Sequence, residues 1–341
     1  MGYSVTLQPS GVSFECADGE TILAAAQRFG VGLRYGCQRG RCGSCRAKIA
    51  EGLVDQVGAS EAALTDYERD SGFALLCSAY PVEDVVIELS DDGLAEAFAV
   101  TPVAQVTSTL VELRRLTHDI VLVGLAPQQP PFMAFKSGQY LEIGVPGTDA
   151  WRAFSMANAP ADDGRLDLMV KLLSHGAASD YFRDRARVED EICVRGPYGT
   201  FCLSDSTAPI VMVAGGSGMA PIASMLSGLA RERCSRPISF YYGARSTRDL
   251  FWGEELRLLQ QRLPSLRYVP ALSESATGDG WTGARGLVSE VLEQDCGNLR
   301  GAEAYLCGPP KMIDAAIAVL RAKGMFSVRI RFDKFVSTGP A

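Results

Sequence analysis

Nowhere in the 341 residues do 18 apolar side chains run together, so the sequence supports no transmembrane helix. The start, Met1 to Thr6, lacks the basic-then-apolar pattern of a signal peptide. Gly2 and Thr6 fit the myristoylation form M-G-x-x-x-[ST], but Tyr3-Ser4-Val5-Thr6 reads better as a first strand. A basic excess is also missing. The net charge is −7, which argues against nucleic acid as a partner. There is no internal repeat. Six of the ten cysteines (Cys16, Cys193, Cys202, Cys234, Cys296, Cys307) are scattered without spacing. A long chain of this kind without a secretion signal points to reduced thiols in the cytoplasm rather than a disulfide framework.

The remaining four cysteines are spaced. Cys37, Cys42 and Cys45 share one nine-residue loop, and Cys77 follows 32 positions later. C-x4-C-x2-C with a distant fourth cysteine is the plant-type ferredoxin spacing for a [2Fe–2S] cluster. Gly36, Gly40 and Gly43 bracket the three, and glycine alone reaches positive φ cheaply, which lets backbone amides turn toward sulfur. No acid occurs between residues 34 and 50, whereas Arg34, Arg39, Arg41, Arg46 and Lys48 do; cations there offset an anionic cluster. The competing reading is a structural zinc site, which prefers two C-x2–4-C pairs; only Cys42 and Cys45 have that spacing. Cys77 follows the apolar run Phe73 to Leu76, so a core cysteine is the alternative for it.

Length predicts two or three domains. Residues 1–93 carry seven basic and fourteen acidic side chains, while the rest of the chain is balanced at 26 of each, so the whole excess lies in the cluster domain. A small polarised domain suits transient, steered docking. Within it, strands at 3–9 and 12–17, a helix from Thr21 to Phe29 stopped by Gly30, strand Arg46 to Ala50, a helical patch near Glu61 to Arg69 and a closing strand Val82 to Leu89 give a β-grasp-like α+β layout. Residues 94–101 read as a small-residue linker. From 102 to 205, short strands with Gly/Pro turns and one helix near Ala177 to Asp184 predict an antiparallel β-barrel. From 206 to 341, strands and helices alternate, beginning with strand Pro209 to Ala214 and helix Met219 to Arg231. That is an α/β doubly wound sheet.

Two further motifs carry chemistry. Gly215-Gly216-Ser217-Gly218-Met219-Ala220-Pro221 joins a strand to a helix, where glycines admit a phosphate chain to the helix N-terminus. Its last position is Pro221 rather than glycine, which remains unstrained in a first helical turn. In the barrel, Arg152-Ala153-Phe154-Ser155 could grip a phosphate, stack a flat ring and hydrogen-bond its edge, although Phe154 could equally be core. Gly176 to Ser179 begins a helix and offers amides to an anion. Lys171, nearby, reads as a solvated barrel residue.

With these motifs in place, the chain resembles the ferredoxin–NAD(P)H reductase family with an N-terminal plant-type ferredoxin domain. More narrowly, it is similar to the reductase components of bacterial multicomponent oxygenases, over essentially its whole length. The resemblance implies FAD on Arg152-Ala153-Phe154-Ser155, with Arg152 and the Gly176/Ser179 helix start on its pyrophosphate, Phe154 flanking the ring and Ser155 near flavin N5. Phenylalanine replaces the family's commoner tyrosine and loses a hydroxyl. It implies a nicotinamide nucleotide on Gly216, Gly218 and Pro221, and Cys307 of Cys307-Gly308-Pro309-Pro310 beside the nicotinamide ring. It places Asp333 and Phe335 of the C-terminal acidic-x-aromatic end by the flavin. Ser273-Glu274 stands where NADP-using relatives have Ser-Arg. A carboxylate there repels a 2′-phosphate, so NADH is expected, although Arg245 and Arg248 argue the other way. The expected activity is an NADH-dependent oxidoreductase passing electrons through FAD and the cluster, held by Cys37, Cys42, Cys45 and Cys77, to a terminal oxygenase. Flavin is needed because hydride brings two electrons and the cluster takes one. A reductase serving a deoxysugar dehydratase, and a non-catalytic redox sensor or zinc scaffold, are the alternatives.

Overall fold

A computed structural model describes residues 2–89, 103–131, 133–160, 163–275 and 280–336. The linker expected at 94–101 and the chain beyond Val336 lie outside the described residues. The chain divides into two compact units, Met1–Thr101 and Pro102–Ala341.

The first unit contains β1 (Gly2–Gln8), β2 (Val12–Ala17), α1 (Ile22–Arg28), β3 (Arg46–Glu51), β4 (Val54–Gln56), α2 (Asp66–Asp70), β5 (Phe73–Leu75), β6 (Ala79–Pro81) and β7 (Val85–Glu88). Its main sheet has the order β2-β1-β7-β3-β5, with the β1–β7 pair parallel, and β4 and β6 form a separate two-stranded ribbon. This is the β-grasp arrangement. Thr21 caps α1 by accepting from the Ala24 amide, and Ile22, Leu23, Ala25 and Ala26 face the core. Burying the two larger side chains is worth about 1.5–3 kcal/mol each. The patch expected as helix from Glu61 is helical only from Asp66, because Thr65 and Glu68 form a capping box that fixes the start there. The closing strand expected from Val82 to Leu89 is β7, Val85–Glu88.

The second unit begins with β8 (Ala104–Arg115), β9 (Ile120–Gln129), β10 (Tyr140–Gly144), β11 (Trp151–Ser155), β12 (Leu166–Lys171), α3 (Ala177–Asp180) and β13 (Glu191–Tyr198). The six strands run β11-β10-β13-β8-β9-β12, and a bridge between Met156 and Leu168 closes them into a barrel. The helix expected to continue to Asp184 does so as a π-turn, Tyr181–Arg185.

There follow β14 (Ile210–Gly215), α4 (Met219–Arg231), β15 (Ile238–Ala244), α5 (Gly253–Arg262), β16 (Leu266–Leu272), β17 (Ala284–Arg285), α6 (Val288–Asp295), β18 (Glu303–Gly308), α7 (Pro310–Ala322) and β19 (Ile330–Lys334). The sheet is parallel throughout, with order β17-β16-β15-β14-β18-β19. The chain order reverses between β14 and β18, which is where an open α/β sheet binds ligands. Helix α5 starts at Gly253, after Trp252 adopts φ +63. The last strand starts at Ile330, after Ser327–Arg329 forms a 3₁₀ turn.

Barrel and sheet share one core. Ile120, Ala157, Met169 and Phe201 cluster with Met219, Met225 and Cys307. Ser224 on α4 donates to Asn158 O at 2.6 Å, and Ser137 donates to Ser224 O at 3.1 Å. The connector between them is held by buried Glu303, which accepts from Ser204 Oγ (2.6 Å) and Tyr305 OH (3.0 Å) and pairs with mostly buried Arg236. Stripping one partner from such a buried pair costs about 3–5 kcal/mol. Among the described residues no helix is long and apolar enough to cross a membrane.

Candidate functional site

The cluster loop runs between α1 and β3, and Cys77 follows β5. Two left-handed residues on either side of Arg39, Gln38 (φ +54) and Gly40 (φ +67), curl the loop so that its amides point inward. The Arg39 and Arg41 amides reach Cys37 Sγ at 3.4 Å, the Cys37 amide reaches Cys42 Sγ at 3.4 Å, and the Gly40 amide reaches Cys77 Sγ at 3.3 Å. Gly40 is required as glycine, since a Cβ there would lie 2.9 Å from Gly58 O. Gly43 also has positive φ; Gly36 does not, and Gln38 takes the position expected for it.

The four thiols form two pairs. The Cys42 thiol bonds to Cys37, and the Cys45 thiol to Cys77. The Cys37 thiol is held down to about 6, chiefly by the Cys42 bond and then by the two arginine amides. Cys77 is held to about 7 by Cys45 and the Gly40 amide. Their partners Cys42 and Cys45 are pushed up by donating those bonds and by burial. Two pairs of sulfurs, each supported by amides, fit two irons of a [2Fe–2S] cluster better than one tetrahedral zinc.

In the barrel, β11 carries Arg152, Phe154 and Ser155. Ser155 is buried and lies opposite Tyr140 on β10. Phe154 meets Phe182 edge-on at 6.4 Å, which fixes its ring. Arg152 is half-buried, and its Nη1 donates to Trp151 O at 2.9 Å. Gly176 has φ +141 at the start of α3, a conformation closed to other residues. Ser179 Oγ accepts the Leu173 amide at 2.9 Å, which leaves its hydroxyl hydrogen for an anion. These features fit a flavin with a pyrophosphate.

At the switch point, Gly218 and Gly308 let two loops touch backbone to backbone. A Cβ on Gly218 would lie 2.3 Å from Cys307 O, and one on Gly308 would lie 2.8 Å from Gly215 O. Pro221 sits in the first turn of α4, as expected. Buried Tyr242 donates to Gly216 O at 3.2 Å and steadies the loop. Beside it opens a cavity of about 250 Å³ lined by Gly215, Gly216, Tyr242, Lys171, Asp119 and Met312 among others. Such a cleft beside the start of a helix fits the phosphate-bearing part of a nucleotide. Cys307 is fully buried, and burial, then nearby Asp333, keeps it a neutral thiol. Asp333 pairs with Cys307 in the β18–β19 register, and the Phe335 amide donates to Gly308 O at 2.9 Å. The structure therefore brings Gly216, Gly218, Cys307, Gly308, Asp333 and Phe335 together.

Glu274 follows β16, with its amide bonded to Arg245 O at 2.8 Å, and its side chain is exposed. Arg245 lies 3.8 Å from Asp249. Sequence reasoning missed Tyr242, Asp119 and Met312; Lys171, read as a solvated barrel residue, is exposed and also lines the cavity. Lys171 pairs with Asp119 at 3.2 Å on the cavity wall.

Three family models match the chain: a 2Fe-2S iron–sulfur cluster binding domain over 5–82, an oxidoreductase FAD-binding domain over 107–202 and an oxidoreductase NAD-binding domain over 212–317. The chain is similar to the reductase component of propane 2-monooxygenase from Mycolicibacterium goodii, 35% identical over 98% of this chain and 97% of that one. It is 38% identical to the reductase component of phenol 2-monooxygenase from Pseudomonas sp. strain CF600, over 98% and 95%. Among solved structures, a cytochrome P450 reductase from Amycolatopsis matches with TM-score 0.80 at 31% identity, covering 98% of each chain. The ferredoxin reductase in carbazole 1,9a-dioxygenase matches with TM-score 0.73 at 26% identity, over 98% and 99%.

Proposed function

The chain belongs to the family of iron–sulfur flavoprotein reductase components of oxygenases, and from that premise we propose how its own residues divide the work. It is an oxidoreductase that carries electrons from NADH through FAD to a [2Fe–2S] cluster and serves an oxygenase. The observation that carries the reading of the sites is the meeting of the Gly216–Gly218 loop with Cys307, Gly308, Asp333 and Phe335 at the switch point, next to a cavity of about 250 Å³ lined by Gly215, Gly216 and Lys171.

When bound, the flavin accepts a two-electron hydride and releases electrons one at a time, which the cluster then takes singly. Arg152, with Gly176 and Ser179, holds the flavin pyrophosphate. Phe154 lies against the ring, and Ser155 presents its hydroxyl at the ring edge. Gly216 and Gly218 admit the nucleotide phosphates to the start of α4, which Pro221 stiffens, with Lys171 as the cation facing them. Cys307, kept neutral, orients the nicotinamide without adding charge, and Gly308 keeps the loop beneath it flat. Asp333 and Phe335 close that end of the site. Cys37, Cys42, Cys45 and Cys77 hold the cluster.

Glu274 selects NADH over NADPH, because a carboxylate faces the position a 2′-phosphate would take. The domains divide at 1–93, 102–205 and 206–341. None of the ten cysteines is paired in a disulfide, which supports a cytoplasmic setting. Docking to the oxygenase is transient, as a protein that must turn from donor to acceptor requires.

Stopped-flow mixing with NADH tests this reading. Ser155→Ala is expected to slow flavin bleaching by about 10²-fold or less, within the range for one positioned donor, with cluster absorption intact. The same mixing with NADPH is expected to bleach wild-type flavin more slowly. Bleaching of the Ser155 variant at wild-type speed rejects its role, and equal rates for the two nucleotides reject that of Glu274.

A further inference from the structure

We propose that the β4–β6 ribbon is the surface on which the terminal oxygenase docks to take its electron. This rests on the reading of the chain as an oxygenase reductase. In the ribbon, Val54 pairs with Pro81, Asp55 with Tyr80 and Gln56 with Ala79. The ladder extends at both ends, where the Val82 amide donates to Leu53 O at 3.2 Å and the Val57 amide to Ser78 O at 3.0 Å. Paired residues of a ribbon share a face. One face therefore presents Leu53, Val57 and Val82, exposed by 65%, 54% and 51%, around the Asp55–Tyr80 pair. Aliphatic side chains this open, side by side on one short ribbon, read as a contact surface.

The ribbon ends at the cluster. Ser78, opposite Val57, follows the ligand Cys77, and Gly58 and Ala59 pack against Gly40 in the cluster loop. Gln56 fixes the junction. Its side chain donates to Ser78 O (2.8 Å) and Ser78 Oγ (2.7 Å) and accepts the Leu75 amide (2.8 Å), so it grips the backbone on both sides of Cys77. A protein seated on Leu53, Val57 and Val82 is thereby held at a fixed distance from the Cys77 side of the cluster.

Charge identifies the occupant. Arg69 is the only Lys or Arg between Lys48 and Arg114, while Glu51, Glu83 and Asp84 flank the ribbon, Asp55 stands on its face, and all four are exposed. The fitting partner has an aliphatic centre ringed by lysines and arginines.

The holoprotein Leu53→Ser/Val82→Ser tests this, with cytochrome c as probe, a one-electron acceptor whose haem edge is ringed by lysines. Each NADH oxidised reduces two ferric haems to ferrous, one electron apiece. The variant is expected to raise the cytochrome c KM about tenfold, in the range for a central apolar contact. Its Kd by calorimetry at low salt should weaken equally, while NADH-driven cluster reduction and ferricyanide reduction stay at wild-type rates. Unchanged KM and Kd overturn the proposal. So does slowed cluster reduction at unchanged KM, which assigns the ribbon to the flavin unit, and so does a wild-type dimer that the variant dissociates in sedimentation, which assigns it to a second copy. A wild-type holoprotein that fails to reduce cytochrome c at all rejects the reductase reading instead.

Discussion

Cys77→Ser leaves a yellow flavoprotein that NADH still bleaches but that passes electrons to no protein acceptor. The substitution removes one of four thiolates, and serine binds iron poorly beside three cysteines. The position has no substitute ligand. Cys77 Sγ is paired with Cys45 and takes the Gly40 amide at 3.3 Å, so its loss orphans both a thiol and a loop amide. Cytochrome c reduction is expected to fall below about 1% of wild type, with acid-labile sulfide lost, because the cluster requires all four sulfurs. Ferricyanide, which can draw on the flavin directly, should still be reduced. Retention of sulfide and of cytochrome c reduction would show that Cys77 is the core cysteine that its apolar approach, Phe73 to Leu76, permits.

The second large effect lies at the switch point. Gly218→Ala places a methyl 2.3 Å from Cys307 O and 2.6 Å from its carbonyl carbon, and all of these are backbone atoms that cannot step aside. The φ of Gly218 is −59, so the difficulty is space and not conformation. Either the phosphate loop or the Cys307 loop must move by about 1 Å, and a misplacement of that size costs on the order of 10²-fold in a positioned reaction. NADH-driven flavin bleaching is expected to slow by about that factor. The flavin itself should remain bound, since Arg152, Gly176 and Ser179 lie in the barrel. The check is stopped-flow bleaching together with the flavin-to-protein ratio. A variant with wild-type bleaching would mean that nucleotide binds elsewhere on the sheet.

These two sites differ in how far the sequence announces them. The cluster loop is local: nine residues supply three ligands, and glycine at Gly40 and Gly43 is demanded by the turn itself. Its spacing can therefore be read directly, and only Gln38 in place of Gly36 departs from the reading. The β14 loop is nearly as legible, because its strand and helix flank it. Its contact with Cys307 is not, since it depends on parallel pairing between β14 and β18, whose partners stand some 90 residues apart. Lys171 alternates outward on β12 like any solvated barrel residue, and only the packing of barrel against sheet turns it toward the cavity. The β4–β6 ribbon escaped because three-residue strands are too short to show alternation. Val54-Asp55-Gln56 becomes a strand by finding Ala79 to Pro81, with Gln56 satisfying backbone groups on either side of Cys77. Tyr242 and Glu303 read as strand interior; their hydrogen bonds to the phosphate loop and to the connector are tertiary.

The central claim is that one chain holds a flavin and a cluster and fills both from NADH. Anaerobic titration of the holoprotein with NADH, followed by visible absorption and electron paramagnetic resonance, tests it most directly. The account predicts loss of both flavin and iron–sulfur absorption, complete near roughly 1.5 equivalents of NADH, and a spin-one-half signal from the reduced cluster. Flavin that bleaches at one equivalent with no paramagnetic signal, in protein containing zinc and no acid-labile sulfide, would contradict it.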